Sequence, residues 1–470
     1  MVLIIIWNYI FKLIKSFKNK TVNMTWFKCS IGYFTALFLL TLAVWPGFWE
    51  WDEYYILAAN VNLHIHVWQS LMSNIIYILS MMILPFPTGV IIVQIILVSI
   101  ITGYVLSFLF KELKCKLPGK IILWIPFFLM PVLYYAQAPI RLGLYSFLEL
   151  LFITLLYKLC KYSTWTTNET VLAVILASII ATWRTEGIYY IVLAPLLIWI
   201  FMKKEDRNHK IEITVWIIIL TLTQYGLQQH LYNNSTSDNY ELTAYINSVQ
   251  ELVGYASENN PDGAAIASIE QIGKVFNTEV LITNYQAGMS GIASFWQGNS
   301  ILQHTEEDLN TMKKGYIGLI RHYPITFLKE RFKTYWDSDM FICSTLNLAE
   351  DERDMVVNFR NSYKFTGYIN APIRNFFVQL IEVSNPRIHK FLYHPFFTQL
   401  VLLLSMLVCL IKKKIGYAGI ALLVLTRVPL VFITAPEKYF MYYFPTYLIG
   451  AVVLATIIAG CLTIKLRSST

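Results

Sequence analysis

An acidic cluster directly after the first long apolar segment is the densest set of groups in this sequence that could do chemistry. Glu50, Asp52 and Glu53 stand in the run Trp45-Pro-Gly-Phe-Trp-Glu-Trp-Asp-Glu-Tyr-Tyr, and residues 45–87 contain no Lys or Arg. At the mouth of a partly desolvated cavity the pKa of one of these carboxyls would rise, so that it could serve as a general base. The alternative interpretation is a belt of interfacial aromatic residues with solvated acids.

The aromatic residues within this cluster suggest what the acids could act on. Trp49, Trp51 and Tyr54 suit the face of a sugar ring and are candidates for lining a sugar or acceptor site, although Trp is also common at membrane interfaces. Asp52 and Glu53 could also hold a divalent cation such as Mg²⁺ or Mn²⁺, but hard cations need several oxygen ligands, and the sequence does not supply a full set. We expect the nearby His64 and His66 to be bystanders.

The composition identifies the elements that must position these residues as membrane helices. Of 470 residues, 56% are hydrophobic and only 14% charged, and the mean hydropathy is +0.52, which excludes a soluble enzyme. Because a bilayer core needs about 20 apolar residues per helix, we predict an all-α polytopic protein with about ten transmembrane helices. The predicted spans are 29–45, 88–110, 121–136, 142–159, 169–183, 187–202, 211–228, 396–411, 415–434 and 439–463.

The distribution of Lys and Arg predicts the orientation of these spans. Basic residues cluster before the first span, in alternate short loops and in the C-terminal tail, as the positive-inside rule requires of cytoplasmic segments. We therefore expect a multi-pass protein of the plasma membrane with both termini in the cytoplasm. The net charge of +8 is then a topology signal, and nucleic acid is not an expected partner.

Three segments fall outside the predicted spans. Residues 1–28 are expected to be cytoplasmic and interfacial, with an amphipathic helix in the first twenty. The stretch 70–86, which ends the first outer loop (46–87), is predicted to be a juxtamembrane or re-entrant helix, because a crossing there would invert every later loop. The predicted organisation is therefore residues 1–28, spans one to seven in 29–228, an insertion in 229–395, and spans eight to ten with a short tail in 396–470.

The insertion of residues 229–395 is predicted to be a mainly helical extracytoplasmic domain. It contains 13 basic and 18 acidic residues, so its charge is opposite to that of the rest of the chain. Apolar residues have helical spacing between Leu309 and Trp336, with a break at Pro324, which predicts two helices near the membrane surface. Trp296, His322 and Tyr323 are weak candidates for acceptor contacts, because such residues are equally expected in the core of this domain.

Charged residues at and below the outer ends of the spans are further candidates, since ionisable groups in a membrane are costly. The short outer loops contain three cations, Arg141, Arg184 and Lys438. Each of them could bind a lipid-borne phosphate. The alternative is that its side chain only extends to the lipid headgroups. Glu149 and Arg427 lie about 10 to 12 Å below the outer ends of their spans. We hypothesise that they form a buried salt bridge; the simpler alternative is that Arg427 reaches into a substrate cavity.

Together these features resemble the GT-C superfamily of membrane glycosyltransferases, which includes enzymes of the protein O-mannosyltransferase and aminoarabinose transferase types. The resemblance lies in the short N-terminus, the first outer loop that opens with Pro46-Gly47 and carries Asp52-Glu53, and the juxtamembrane helix after it. Trp183-Arg-Thr-Glu-Gly-Ile-Tyr and Pro436-Glu-Lys-Tyr-Phe-Met-Tyr-Tyr-Phe-Pro also look similar to segments of bacterial members. The large insertion lies between spans seven and eight, whereas some relatives carry a C-terminal domain.

The resemblance implies a donor and a set of roles. The donor would be a sugar on a polyprenyl phosphate or diphosphate, with Asp52 activating the acceptor and Glu53 as its nearest rival. The lipid phosphate would leave toward Arg184 and Lys438, with Arg141 third. The acceptor would be an extracytoplasmic polysaccharide, teichoic acid, lipid or protein.

Two other classes of function remain open. A transporter or flippase for lipid-linked oligosaccharide or polysaccharide would need a polar pathway through several spans, and the predicted spans are largely apolar. A non-catalytic cell-envelope assembly protein would use the insertion for binding. Substitution of Asp52 should separate a transferase from both.

Overall fold

A computed structural model describes residues 23–65, 70–203, 206–232, 239–338, 367–383 and 385–468. These residues are almost entirely helical, as predicted, and they contain no β-strand; Phe276 and Ile301 form an isolated bridge. By their internal contacts the residues fall into two compact units. The membrane unit comprises 1–232, 342–425 and 444–470, and the insertion unit comprises 233–341 and 426–443.

The first ten helices belong to the membrane unit. They are α1 (Met24–Ala43), α2 (Trp51–Val61), α3 (Leu71–Ile83), α4 (Pro87–Leu113), α5 (Leu117–Trp124), α6 (Met130–Gln137), α7 (Arg141–Tyr162), α8 (Thr167–Trp183), α9 (Tyr190–Phe201) and α10 (Arg207–Tyr232). Local sequence signals explain where several of these helices begin. The Asn23 side chain caps α1, Pro87 occupies the first turn of α4, and Thr166 and Glu169 form a capping box at α8.

The insertion unit contains the next six helices and one later helix. The six are α11 (Thr243–Glu258), α12 (Gly263–Ile272), α13 (Thr278–Gln286), α14 (Gly291–Trp296), α15 (Glu306–His322) and α16 (Pro324–Trp336). Their apolar faces enclose one core, which includes Val249, Phe276 and Met312. The predicted pair of helices broken at Pro324 is present as α15 and α16.

The remaining helices complete both units. They are α17 (Ala371–Glu382), α18 (Pro386–Tyr393), α19 (Phe396–Ile411), α20 (Ile415–Leu425), α21 (Arg427–Thr434) and α22 (Phe444–Ser468). Of these, α21 belongs to the insertion unit and the others to the membrane unit. The compact units therefore divide the described chain differently from the predicted segments, because 367–383 and 385–395 group with the spans and 426–443 with the insertion.

Seven helices of the described chain are long and apolar enough to cross a membrane. They are Met24–Ala43, Pro87–Leu113, Arg141–Tyr162, Arg207–Leu231, Pro386–Ile411, Ile415–Thr434 and Phe440–Ile464. An eighth crossing is added if Leu117–Phe128 and Met130–Gln137 count as one broken span, with a bend of 56°.

The predicted count of ten is therefore not reached, and the reason lies in three predicted spans. The segment 121–136 is broken by its bend, and the helices in 169–183 and 187–202 are Thr167–Trp183 and Thr185–Phe201, which are shorter apolar helices. The stretch 70–86, predicted to lie beside the membrane, likewise forms a short apolar helix, Leu71–Ile83. The predicted amphipathic helix in residues 1–20 lies outside the described residues.

Candidate functional site

A tight turn places the acidic cluster at one end of the membrane unit. After α1 the Trp45–Pro46 peptide is cis, and Gly47 has φ of +103°, a left-handed conformation that favours glycine. A Cβ atom at Gly47 would overlap the Ile91 side chain and lie 3.3 Å from the Gln137 carbonyl oxygen. The turn thus requires glycine and returns the chain into α2. We call this end of the unit the first-loop end.

The end of α6 supports this turn through buried amide side chains. Gln137 donates to the Leu37 carbonyl and accepts from the Thr41 hydroxyl, at 2.9 and 2.8 Å. Gln94 of α4 donates to the Ala138 carbonyl at 2.7 Å. Because buried amides that are fully bonded hold backbone segments in one arrangement, the loop that carries the acids rests on a rigid base.

The three acids of the cluster have different surroundings. Glu50 precedes α2 and accepts a hydrogen bond of 2.7 Å from the Tyr134 hydroxyl. Asp52, in the first turn of α2, is exposed, whereas the next residue, Glu53, is only 2% exposed. Consecutive helical residues point in directions about 100° apart, so one helix turn presents one carboxylate to water and buries the other.

Burial sets the electrostatics of Glu53. Desolvation raises the pKa of this carboxyl well above its ordinary value, the charges of Asp52 and Glu50 raise it further, and the charge of Arg141 opposes them. Its Oε2 atom has no hydrogen-bond partner within the described chain. Arg141 is half-buried at the start of α7. Arg141, one of the predicted phosphate-binding cations, therefore acts electrostatically on the buried acid of the cluster.

The aromatic residues of the cluster are packed inside the protein. Trp49 and Tyr54 are fully buried and stack on each other, with ring centroids 6.0 Å apart. The Trp49 indole nitrogen donates to the Pro46 carbonyl at 3.2 Å. In this arrangement neither ring offers an open face to a sugar. The side chain of Trp51 lies outside the described residues.

The other two predicted cations each contact a carboxylate. Arg184 is 7% exposed and binds Glu186 in a bidentate manner, with N···O distances of 2.6 and 3.0 Å. Lys438 belongs to the insertion unit, where its ammonium is 3.2 Å from the Asp337 carboxylate. A phosphate at either position would have to compete with a protein carboxylate.

Arg184 is nevertheless connected to the first-loop end within the membrane unit. The preceding Trp183 donates to the Ser73 hydroxyl of α3 at 2.8 Å, and its ring packs against Tyr145 with centroids 6.0 Å apart. Tyr77 of α3 donates to the Pro139 carbonyl at 3.1 Å. The short helix α3 therefore bridges the end of α8 and the segment between α6 and α7.

The two deep charges, Glu149 and Arg427, are both fully buried. Glu149 is fully buried in α7 and accepts a hydrogen bond of 2.7 Å from the Tyr190 hydroxyl. Arg427 is fully buried at the start of α21, in the insertion unit. Because the two residues belong to different compact units, the hypothesised salt bridge between them stays a prediction.

The described residues contain no group of three or more His, Cys, Asp or Glu side chains arranged to hold a metal ion. His64 is exposed, and His66 lies outside the described residues. A site for Mg²⁺ or Mn²⁺ at Asp52 and Glu53 would therefore need further oxygen ligands from substrate or water.

The weak candidates of the insertion have ordinary structural contacts. Trp296 is 56% exposed and packs edge-on against Phe295. His322 is 3.3 Å from Asp262, and Tyr323 packs edge-on against Tyr255. Glu437, in the segment that includes Lys438, is partly buried, and burial raises its pKa to about 6.

Sequence reasoning missed Arg374, the side chain that closes the acidic loop. It is fully buried on α17, donates to the Val44 carbonyl, and lies 3.4 and 3.5 Å from the Trp45 and Gly47 carbonyl oxygens. Its guanidinium also lies 4.5 Å from the Tyr368 ring centre. Nothing in the sequence around Arg374 points to a partner some 330 residues earlier in the chain.

Asn60 was also missed. It lies two turns after Glu53 on the same face of α2, is 2% exposed, and its side-chain amide has no hydrogen-bond partner within the described residues. A helical wheel of α2 could have found it, since Glu53, Leu57 and Asn60 follow helical spacing.

No protein-family model, no curated protein and no solved structure matches this chain.

Proposed function

We propose that this protein is a membrane glycosyltransferase that moves a sugar from a polyprenyl-(di)phosphate donor to an acceptor on the extracytoplasmic side of the plasma membrane. One observation carries the proposal: α2 presents an exposed carboxylate, Asp52, next to a buried carboxyl, Glu53, on which the charge of Arg141 acts. A base that water can reach and a cation suited to phosphate therefore occur together at one end of a bundle of apolar helices.

The proposed reaction is a single displacement. Asp52 accepts the proton of an acceptor hydroxyl while that oxygen attacks the anomeric carbon of the donor sugar. The bond between this carbon and the phosphate oxygen breaks, and its electron pair leaves with the lipid phosphate. The configuration at the anomeric carbon inverts, because attack and departure occur on opposite faces of the sugar.

Arg141 is the preferred cation for the leaving phosphate. Negative charge gathers on the phosphate as the bond breaks, and a fixed guanidinium stabilises that charge in a partly buried site. Arg184 follows it in order of preference, because Glu186 already binds it at 2.6 Å. A divalent cation bound by Asp52, Glu53 and the donor phosphate would supplement Arg141.

Glu53 is the rival for the role of base. Its raised pKa leaves a larger share of the carboxyl protonated near neutral pH, and its burial removes it from water. Asp52 suits an acceptor that arrives from solution, since its carboxylate is exposed. The proposed acceptor is a polysaccharide, a teichoic acid, a lipid or a protein.

The test compares Asp52→Asn with Glu50→Gln in purified full-length protein supplied with a radiolabelled polyprenyl-phosphate sugar. Loss of a general base lowers turnover by about 10²- to 10⁴-fold, so Asp52→Asn should lose transfer but still bind the donor. Glu50→Gln is the matched control, because its amide oxygen can still accept the 2.7 Å hydrogen bond from Tyr134. This variant should keep most of its activity.

Normal transfer by both Asp52→Asn and Glu53→Gln would rule out the proposed mechanism. Donor binding without transfer by the wild type, combined with movement of the donor across vesicle membranes, would favour a transporter or flippase instead.

A further inference from the structure

The helix α16 carries an exposed apolar stripe that nothing in the proposed reaction uses. Ile325, Leu328, Phe332 and Trp336 are 68%, 54%, 57% and 44% exposed. Their spacing of three, four and four residues places them on one face of the helix, which we call the α16 stripe. The rings of Phe332 and Trp336 stack with centroids 6.0 Å apart, so the face is a continuous apolar surface and not a set of isolated side chains.

A neighbouring face of α16 packs against the end of a candidate membrane span. Arg331 is 1% exposed and donates to the Ala435 carbonyl at 2.8 Å and to the Ile433 carbonyl at 3.3 Å. The Tyr335 ring packs against Phe432 with centroids 6.3 Å apart. Phe432 and Ile433 belong to the last turn of the apolar helix Ile415–Thr434. If Ile415–Thr434 crosses the membrane, its last turn lies at the bilayer surface, and α16 packs beside that turn.

The charges beside the stripe are positive. Lys329 and Lys333 are exposed and follow each other by one turn along one side of the stripe. The acid between them, Glu330, is neutralised by Arg331 at an N···O distance of 2.5 Å and accepts a hydrogen bond of 2.9 Å from Thr334. The exposed part of α16 therefore combines an apolar face with two lysines, a pattern typical of helices that lie in a membrane interface.

We infer that the α16 stripe inserts into the interface of the bilayer and that Lys329 and Lys333 contact anionic lipid headgroups. Trp336 and Phe332 suit this depth because aromatic rings favour the headgroup level. The lysine stems cover apolar surface while their ammonium groups reach the phosphates. The interaction holds residues 239–338 on the membrane surface, and it does not depend on the proposed sugar transfer.

The test uses the full-length chain with the photoreactive residue benzoylphenylalanine in place of Leu328 or Phe332. The protein is reconstituted in vesicles of equal amounts of phosphatidylcholine and phosphatidylglycerol, irradiated and analysed for lipid adducts by mass spectrometry. The matched negative control is Ile266, which is 45% exposed on α12 of the same unit. The positive control is Ile433, which is 49% exposed on the candidate span. Lipid adducts are expected at 328, 332 and 433 and not at 266.

Adducts at 433 without adducts at 328 and 332 would overturn the inference. So would crosslinks from the stripe to a second copy of the chain or to residues 339–366 of the same chain. Each of these outcomes gives a product of distinct mass.

The role of the lysines is tested by Lys329→Glu combined with Lys333→Glu, with benzoylphenylalanine at 332. The share of phosphatidylglycerol among the adducts should fall several-fold, because the attraction for anionic headgroups is lost. Lys329→Gln with Lys333→Gln serves as the second variant if the charge reversal impairs folding, and it should give a smaller fall. An unchanged share in the well-folded variant would refute the headgroup contact.

Discussion

At the scale of single residues, Arg374 and Glu53 show how burial decides the properties of the first-loop end. Arg374 supplies positive charge to the carbonyl groups that follow α1, so the turn that carries the acids is held by a side chain from α17. Glu53, by contrast, is a buried carboxyl, and the loss of hydration disfavours its charged form. Buried ionisable groups with a shifted pKa are common at functional sites.

Replacement of Arg374 is expected to weaken both stability and activity. Arg374→Gln leaves the Val44 and Gly47 carbonyl oxygens without a charged donor, and hydrogen bonds to charged groups contribute about 1.5 to 3 kcal/mol each. We expect a loss of about 2 to 3 kcal/mol, read as a lower melting temperature of the purified protein in detergent. Arg387→Gln, at an exposed position on α18, is the control and should melt like the wild type. Equal melting of both variants would show that Arg374 does not hold the loop.

At the scale of helices, close approach between α1 and α4 is the feature on which the site depends. The acidic loop leaves the end of α1, and Thr88 at the start of α4 donates to the Pro46 carbonyl at 3.2 Å. Farther along α4, Gly103 faces α1 so closely that a Cβ atom would lie 2.7 Å from the Ser30 nitrogen and 2.9 Å from the Trp26 oxygen. Both are backbone atoms, so the helices themselves would have to move apart.

Gly103→Ala should therefore destabilise the protein by about 1 to 3 kcal/mol, the usual cost of overpacking. The matched control is Gly226→Ala on α10, where a Cβ atom would meet nothing within 4 Å. That change should raise stability by up to about 1 kcal/mol, because alanine favours the helix more than glycine does. Thermal unfolding of both variants in the same detergent measures the difference, and a stabilised Gly103→Ala would contradict the close packing of α1 on α4.

At the scale of the whole molecule, the number of crossings decides whether the two termini lie on the same side of the membrane. Seven crossings place the termini on opposite sides of the membrane, whereas eight or ten place them on the same side. The described part of the chain has seven apolar helices of sufficient length and a bent pair, Leu117–Phe128 with Met130–Gln137, that would make eight. The distribution of Lys and Arg favours termini on the same side and therefore predicts that the bent pair crosses.

This topology is tested with reporter domains placed after residue 20 or after residue 470 of the otherwise intact chain. A fluorescent protein that folds only in the cytoplasm should be bright at both positions, and alkaline phosphatase, which is active only outside, should be inactive at both. Opposite results at the two ends would show an odd number of crossings. The first outer loop would then have to be located by a separate fusion at residue 62, on the exposed end of α2.

Some features of this protein follow from its sequence and were predicted from it. The helical class follows from composition, and the break at Pro324 was predicted because proline begins helices and ends the preceding ones. The acidic residues Asp52 and Glu53 were identified by their type and by the absence of Lys and Arg around them. The number of spans was harder to predict from the sequence, because a hydropathy pattern does not show the 56° bend after Phe128.

The amino-acid sequence alone therefore specifies chemical and local features, namely an apolar helical chain, its charge pattern, and the acidic run after α1. Only the tertiary structure decided that Asp52 is exposed while Glu53 is buried near Arg141, that Arg184 is held by Glu186, and that Arg374 closes the loop. The physical reason is that burial and charge pairing depend on which distant segments pack together. The contact of Arg374 with Val44 joins residues some 330 positions apart, and the charge of Arg141 acts on Glu53 from a different helix, so no local pattern encodes either interaction.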